Sequence, residues 1–274
     1  MMLSSEPAAA TNCLAHVQGL LFDLDGVVYR GLDPLPGAAE LTATLGRLHI
    51  RFAFVTNNAT LTPGQFRAKL AVMGVRVRSR DVVTSSEATA AYLQTVAAPG
   101  TGIYVVGEHG LHAAHQRAGF DTASDHPAYV VVGLHRRLTY SILAGACLAI
   151  QRGAQLIATN ADRAIPVEAG LWPGAGAILA AITTATRAVP LIIGKPEPIM
   201  LEVALKRLGV DRAHVAMVGD QVETDIRAGQ AARLRTVLVQ GDLVAGVGDP
   251  PPTLVVQDLA ELLAKIEAAR TAPL

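Results

Sequence analysis

Short runs rich in Val, Ile and Leu recur along this chain, each followed by a longer segment of helical period. That alternation restricts the fold more than any other feature, because it is the signature of βα units built around a mostly parallel sheet. The fold class is therefore α/β. It predicts strands at Gly19–Phe22, Phe52–Thr56, Ile103–Val106, Tyr129–Val132, Leu156–Thr159, Leu191–Ile193, Val215–Val218, Thr236–Val239 and Leu254–Val256, with helices between them. One helix start is legible in detail: Thr62-Pro63-Gly64-Gln65 combines an N-cap hydroxyl, Pro at the first helical position and Gln at the third, a capping box. A second helix, about Pro198 to Leu208, carries Lys206 and Arg207 in its last turn and Gly209 just beyond, the pattern of a dipole-complemented C-terminus with a glycine stop.

Composition narrows the function. With 274 residues, 51% hydrophobic and 17% charged, the chain can bury a core for one or two domains and does not read as disordered. Its 23 Lys+Arg balance 23 Asp+Glu, so no global field attracts a nucleic-acid backbone or an anionic membrane. The longest uncharged stretch, Ala169 to Thr186, is broken by Gly170, Pro173, Gly174 and Gly176; only Ala175 to Ile182 reads as continuous small-apolar helix, short of the roughly 20 residues a bilayer crossing needs. The first residues, Met-Met-Leu-Ser-Ser-Glu-Pro, read as no secretion signal. With Cys13 and Cys147 taken as two reduced thiols, the expected compartment is the cytoplasm.

Chemistry-bearing residues gather at four strand ends. After the first strand comes Asp23-Leu24-Asp25-Gly26: two carboxylates where ligands bind in open parallel sheets, with a glycine that allows a tight turn beneath an anion. Taken singly, each Asp could equally be a turn former or helix cap. The second strand ends in Thr56-Asn57-Asn58, a hydroxyl and two amides that suit phosphate oxygens or plain loop chemistry. Gly194-Lys195-Pro196 places a point cation after an apolar strand, able to neutralise a phosphate oxygen or simply to be solvated. The fourth, Gly219-Asp220, has Asp225 about one helical turn further on. Clustered carboxylates beside a phosphate-binding lysine suggest Mg²⁺, a hard cation held by one or two carboxylates, waters and substrate oxygens.

Together, Asp23-Leu24-Asp25-Gly26, Thr56-Asn57-Asn58, Gly194-Lys195-Pro196 and Gly219-Asp220 through Asp225 resemble, in order, the four motifs of the haloacid dehalogenase (HAD) superfamily of phosphohydrolases. The strings Val27-Val28-Tyr29, Val131-Val132-Gly133-Leu134, Ala158-Thr159-Asn160 and Pro173-Gly174-Ala175-Gly176-Ala177 make the resemblance narrower, to its class IIA, NagD-like or para-nitrophenylphosphatase branch. The resemblance implies a Rossmann-like HAD core, residues 1–85 plus 190–274, with an inserted α/β class IIA cap, residues 86–189. It implies Asp23 as nucleophile, giving an aspartyl-phosphate, and Asp25 as general acid and then base. Thr56, Asn57, Asn58 and Lys195 would bind phosphate, with Thr56 and Lys195 among the catalytic residues. Asp23, the Asp25 carbonyl and Asp220 would hold Mg²⁺, with Asp225 behind them orienting Lys195 or a metal-bound water. On the cap, Asn160, Asp162, Arg163 and Trp172 would select the substrate, although Trp172 suits packing or a dimer contact equally well and Asp162-Arg163 could be a surface ion pair.

The second aspartate of the first motif argues for phosphoryl transfer over carbon–halogen chemistry, because dehalogenases of the superfamily lack it. Three positions depart from the pattern: Gln221 where Arg or Asn is frequent, His135 where Asp is, and Arg233 where Gly is. The expected partner is a small phosphorylated metabolite, a nucleoside monophosphate, sugar phosphate, phosphoglycolate or glycerol phosphate, with no nucleic-acid polymer and no membrane; a homodimer through the cap is suggested by resemblance alone. Two other readings use the same residues: a phosphotransferase or phosphomutase that replaces water with an alcohol, and a non-catalytic phosphometabolite-binding protein. The histidines of Glu108-His109-Gly110-Leu111-His112 and His115 read as a solvated helix face rather than a zinc site. Gly174-Ala175-Gly176 is not a dinucleotide fingerprint, and no Walker A motif occurs.

Overall fold

The computed structural model describes residues 14–167, 169–240 and 250–271; Cys13 lies outside them, and Cys147 is a free thiol. The chain runs through β1 (Gly19–Phe22), β2 (Tyr29–Arg30), β3 (Asp33–Pro34), α1 (Ala38–Arg47), β4 (Arg51–Thr56), α2 (Pro63–Val72), β5 (Val82–Thr84) and α3 (Ser85–Val96). It continues through β6 (Ile103–Val106), α4 (His109–Arg117), β7 (Tyr129–Val132), α5 (Tyr140–Gln151), β8 (Gln155–Ala158), β9 (Ala164–Val167), β10 (Gly170–Pro173), α6 (Ala175–Thr186) and β11 (Leu191–Ile192). The last elements are α7 (Ile199–Leu208), β12 (Val215–Gly219), α8 (Arg227–Ala231), β13 (Arg235–Val239), β14 (Leu254–Val256) and α9 (Leu259–Thr271). These elements form two compact units. One takes the described residues of Met1–Val55, Arg67–Val82 and Leu201–Leu274; the other takes the described residues of Thr56–Phe66 and Val83–Met200, a wider span than the 86–189 segment that the resemblance implies as a cap.

In the first unit the sheet order is β14-β13-β12-β1-β4-β5, with parallel pairing from β14 across to β4. All four residues of β1 and all five of β12 are buried. A parallel sheet covered on both faces requires such unbroken apolar runs, and this is why these strands are legible without alternation. Register then decides what meets at the strand ends. Phe22 lies opposite Val218 on one side and Phe54 on the other, so Asp23 leaves the sheet level with the Gly219-Asp220 turn.

The second unit has its own parallel sheet, β11-β8-β7-β6. Val106, Val130, Val132, Leu156, Ala158, Ile178, Leu179 and Ile182 form its core. β9 and β10 make a separate antiparallel hairpin. Both sheets bear out the α/β reading, and the nine predicted strands all occur, with ends shifted by at most one residue. The hairpins β2–β3 and β9–β10 and the strand β5 were not foreseen. Runs of two or three residues are too short to show a period, and β9–β10 is largely exposed, so no apolar alternation marks it.

The Thr62 box forms: Gln65 N donates to Thr62 Oγ1 at 3.3 Å, and Thr62 N to Gln65 Oε1 at 2.9 Å. α7 ends at Leu208 with Gly209 at φ +63°, the left-handed stop foreseen from the sequence. The stretch Ala169–Thr186 contains β10 and the twelve-residue α6, longer than foreseen because Thr183 and Thr186 direct their hydroxyls to the Ala180 and Ile182 carbonyls instead of ending the helix. No helix among the described residues is long and apolar enough to cross a membrane. The histidine face needs correction: His109 is exposed, but His115 is fully buried. Steps of three residues turn 300° around a helix, so two steps carry the side chain well round from its starting face, here into the core.

Candidate active site

In the first unit the motif-one and motif-four acids meet. Asp23 N donates to Val218 O at 2.9 Å, tying the turn after β1 to the end of β12. Asp23, Asp220 and Asp225 each bring a carboxylate oxygen within 4.8 Å of the others. Asp225 comes from a π-helical turn, Val222–Ile226, and its Oδ2 accepts the Gln221 N–H at 3.1 Å. Close packing builds this cluster: a Cβ at Gly219 would lie 2.1 Å from Asp225 Cβ, and one at Gly26 would lie 2.1 Å from Asp220 Oδ2. Gly26 also sits at φ +88°, where an L side chain is strained. Three hard oxygen donors around a glycine-lined space suit a divalent cation. Asp225, which the resemblance places behind the ligands, is 1% exposed and brings one carboxylate oxygen to this group of acids.

Asp25 does something else. Its side chain is exposed, and Oδ2 accepts the Tyr29 hydroxyl at 3.2 Å. The turn between them is tight, for Leu24 O accepts the N–H groups of both Val28 (2.9 Å) and Tyr29 (3.3 Å), and Gly26 N donates to Tyr29 O at 2.8 Å. Tyr29 is fully buried, and Lys69 Nζ sits 3.7 Å from its ring centroid. Burial, with the Asp25 charge adding to it, holds the Tyr29 phenol well above its ordinary range. Burial lowers the Lys69 ammonium, against an upward pull from Asp25.

The second unit gathers the motif-two and motif-three residues. Asn57 clamps Lys195 from both sides of its backbone: Oδ1 accepts Lys195 N at 2.9 Å, and Nδ2 donates to Lys195 O at 2.9 Å. The Asn57 amide also reaches both Asp162 oxygens at 3.3 Å, and its backbone carbonyl accepts the Ser85 hydroxyl at 2.7 Å. Thus the Asn57 amide is engaged within the protein. Asn58 turns to its own chain, with Oδ1 accepting from Thr60 N (3.0 Å) and Thr60 Oγ1 (2.7 Å), while its N–H donates to Thr56 Oγ1 at 3.2 Å. Lys195 and Thr56 are both 3% exposed. A burial that deep is uncommon for lysine and requires compensating partners. Gly194 is obligatory here, because a Cβ would lie 2.4 Å from Thr159 O and 2.5 Å from Asn57 Oδ1.

The expected substrate-selecting residues divide. Asn160 Nδ2 donates to Asp162 Oδ2 at 2.8 Å, and Thr159 Oγ1 to Asn160 Oδ1 at 2.7 Å, so both Asn160 and Asp162 join the Asn57–Lys195 network. Arg163 is exposed, and Trp172, on β10 opposite Ile165, is half-exposed. Of the three departures from the family pattern, Arg233 adopts φ +58°, a backbone conformation that accounts for glycine elsewhere. Gln221 contributes its backbone N–H to Asp225, and His135 Nδ1 accepts Arg137 N at 3.2 Å. Sequence reasoning did not foresee the Tyr29–Asp25 bond, the Asn57 clamp or Ser85. Neither residue type nor spacing announces these contacts.

Comparison with known proteins identifies the family. The model of the haloacid dehalogenase-like hydrolase family matches residues 20–121, and a HAD-hydrolase-like model matches residues 192–262. The acid sugar phosphatase of Staphylococcus aureus is 42% identical over 260 residues, 93% of this chain and all of that one. A double mutant of the thermostable NPPase from Geobacillus stearothermophilus superposes with a TM-score of 0.84 at 42% identity, covering 89% of this chain and 97% of that one. The glycerol phosphate phosphatase of Mycobacterium tuberculosis, solved in complex with calcium, gives 0.83 at 35% identity over 91% of this chain and 76% of that one. The chain belongs to the haloacid dehalogenase-like hydrolases, in their para-nitrophenylphosphatase-like branch, and is a phosphoric monoester hydrolase.

Proposed function

We propose that this chain hydrolyses small phosphomonoesters through an aspartyl-phosphate on Asp23, with Mg²⁺ as its cation. The observation that carries the reading is the Asp23–Asp220–Asp225 cluster at the ends of β1 and β12. A bound Mg²⁺ would offset the charge of the phosphoryl group and keep Asp23 ionised. Asp23 Oδ attacks phosphorus, the bond to the leaving oxygen breaks, and Asp25 gives that oxygen its proton, releasing an alcohol. Water then attacks the phosphorus of the acyl-phosphate, Asp25 takes the water proton, and the P–O bond to Asp23 breaks to return the carboxylate and free phosphate. Thr56 and Lys195 hold phosphoryl oxygens in this scheme. Asn57, gripping Lys195 by its backbone, serves as a positioning residue, and Asn58 braces the Thr56 turn.

Residues 86–189 act as a cap that excludes water and selects the substrate, with Asn160, Asp162, Arg163 and Trp172 as its specificity candidates. The substrate class, sugar phosphates or glycerol phosphate among the small phosphomonoesters, is supported by the names of relatives alignable over most of the chain. The test is phosphate release from a panel of such esters and para-nitrophenyl phosphate, with Mg²⁺ and with EDTA, for wild type and Asp23→Asn. Metal-dependent release that disappears in the mutant is the expected result. Wild-type turnover by Asp23→Asn overturns the nucleophile assignment, and ester formation from added alcohols in preference to phosphate release would favour a phosphotransferase.

A further inference from the structure

We propose that Tyr29 is a positioning residue for Asp25: by donating its hydroxyl to Oδ2 it holds the Asp25 carboxyl in the one orientation from which the other oxygen, Oδ1, delivers a proton to the departing alcohol. The proposal rests on the reading of Asp25 as general acid. An exposed aspartate ordinarily turns freely about two side-chain bonds, and a proton donor misplaced by an ångström loses much of its effect. Asp25 is exposed, yet its carboxyl is held at 3.2 Å by a phenol that has no freedom of its own, because Tyr29 is fully buried. The backbone completes the arrangement. Gly26 at φ +88° and the triple use of Leu24 O by Val27, Val28 and Tyr29 fold the turn so that residue 29 comes back beneath residue 25.

Lys69 adds to it from α2. Its ammonium sits 3.7 Å from the Tyr29 ring centroid, drawing electron density from the ring and making the phenol a stronger hydrogen-bond donor. With Oδ2 engaged as acceptor, the carboxyl proton of the acid form belongs on Oδ1. A purely structural Tyr29, whose hydroxyl merely needs an acceptor on burial, would affect every substrate alike. A positioning Tyr29 would not. Para-nitrophenolate departs with little need of a proton, whereas an alkoxide such as that of glycerol requires one.

The experiment measures kcat/KM for para-nitrophenyl phosphate and glycerol phosphate in wild type, Tyr29→Phe and Asp25→Asn. In the two-step scheme kcat/KM reports the step in which the leaving group departs. The ratio of the two substrates on one sample is also independent of how much of the enzyme is correctly folded. Tyr29→Phe is expected to lower the glycerol phosphate value about tenfold more than the aryl value, part of the roughly 10²–10⁴ that a general acid supplies, and Asp25→Asn to skew the ratio further. A skew in Asp25→Asn with none in Tyr29→Phe overturns the positioning role alone. An unskewed ratio in Asp25→Asn overturns the general-acid reading and the proposal with it.

Discussion

His115 makes the stability of the second unit depend on pH, by an amount the structure sets. The ring is fully buried on α4, with Nδ1 2.8 Å from Leu111 O and Nε2 buried without a hydrogen-bond partner among the described residues. The short contact to a carbonyl makes Nδ1 the protonated nitrogen of the neutral ring, so any second proton must go to Nε2, where nothing accepts it. Burial accordingly pushes the pKa down to about 4 from 6.5, with the Leu111 carbonyl pulling upward and His112 adding a small downward push. The folded pKa is below the unfolded one, so the unfolded chain binds more protons as pH falls. Stability from this site is whole above pH 7, begins to drop as pH passes 6.5, and is fully lost below 4. The drop is about 2 kcal/mol by pH 5 and about 3 kcal/mol in all, at roughly 1.4 kcal/mol per pH unit.

Urea denaturation followed by circular dichroism at pH 7.5 and pH 5.0, on wild type and His115→Phe, isolates the effect. Phenylalanine keeps the bulk and loses the Leu111 hydrogen bond, an offset of about 1 kcal/mol that does not vary with pH. Wild type is expected to lose about 2 kcal/mol more than the variant between the two pH values. Equal losses would refute the buried, unpartnered state of Nε2.

Other consequences are local. Asp220→Asn should raise the Mg²⁺ concentration for half-maximal activity more than tenfold, read by titrating the metal into EDTA-stripped enzyme; an unchanged midpoint would remove Asp220 from the metal set. Gly194→Ala forces a Cβ against Thr159 O and Asn57 Oδ1, so it should disrupt the grip on Lys195 and depress kcat by an order of magnitude or more while much of the fold remains, checked by steady-state kinetics beside circular dichroism. Thr62→Ala removes the capping hydroxyl of α2 and should cost about 0.5–2 kcal/mol of stability without altering kcat, as thermal melts and activity on one preparation would show.

Some features were legible because they depend on residue type along a short stretch. The unbroken apolar runs of β1 and β12 are demanded by burial on both faces, and Gly209 and the Thr62 box follow from local backbone requirements. The acids of the first and fourth motifs were legible as strand-end residues, and the sheet register then brings them together. Less was visible where a contact joins distant segments. Asp225 enters the carboxylate cluster because a π-helical turn and a bare Gly219 let it close in, and the spacing from Asp220 does not distinguish a ligand from a residue standing behind one.

The sequence by itself determined the α/β class, the positions of nine of the strands, the family and the identity of the charged groups, since periodicity, glycine placement and motif order are properties of the one-dimensional chain. Only the tertiary structure decided that Asn57 grips Lys195 across 138 positions, that Tyr29 takes hold of Asp25, and that His115 faces inward. Each depends on which side of an element a side chain faces and on what packs against it. Those are set by the register and rotation of whole elements, which the minimum of the entire packed chain selects and no short stretch encodes.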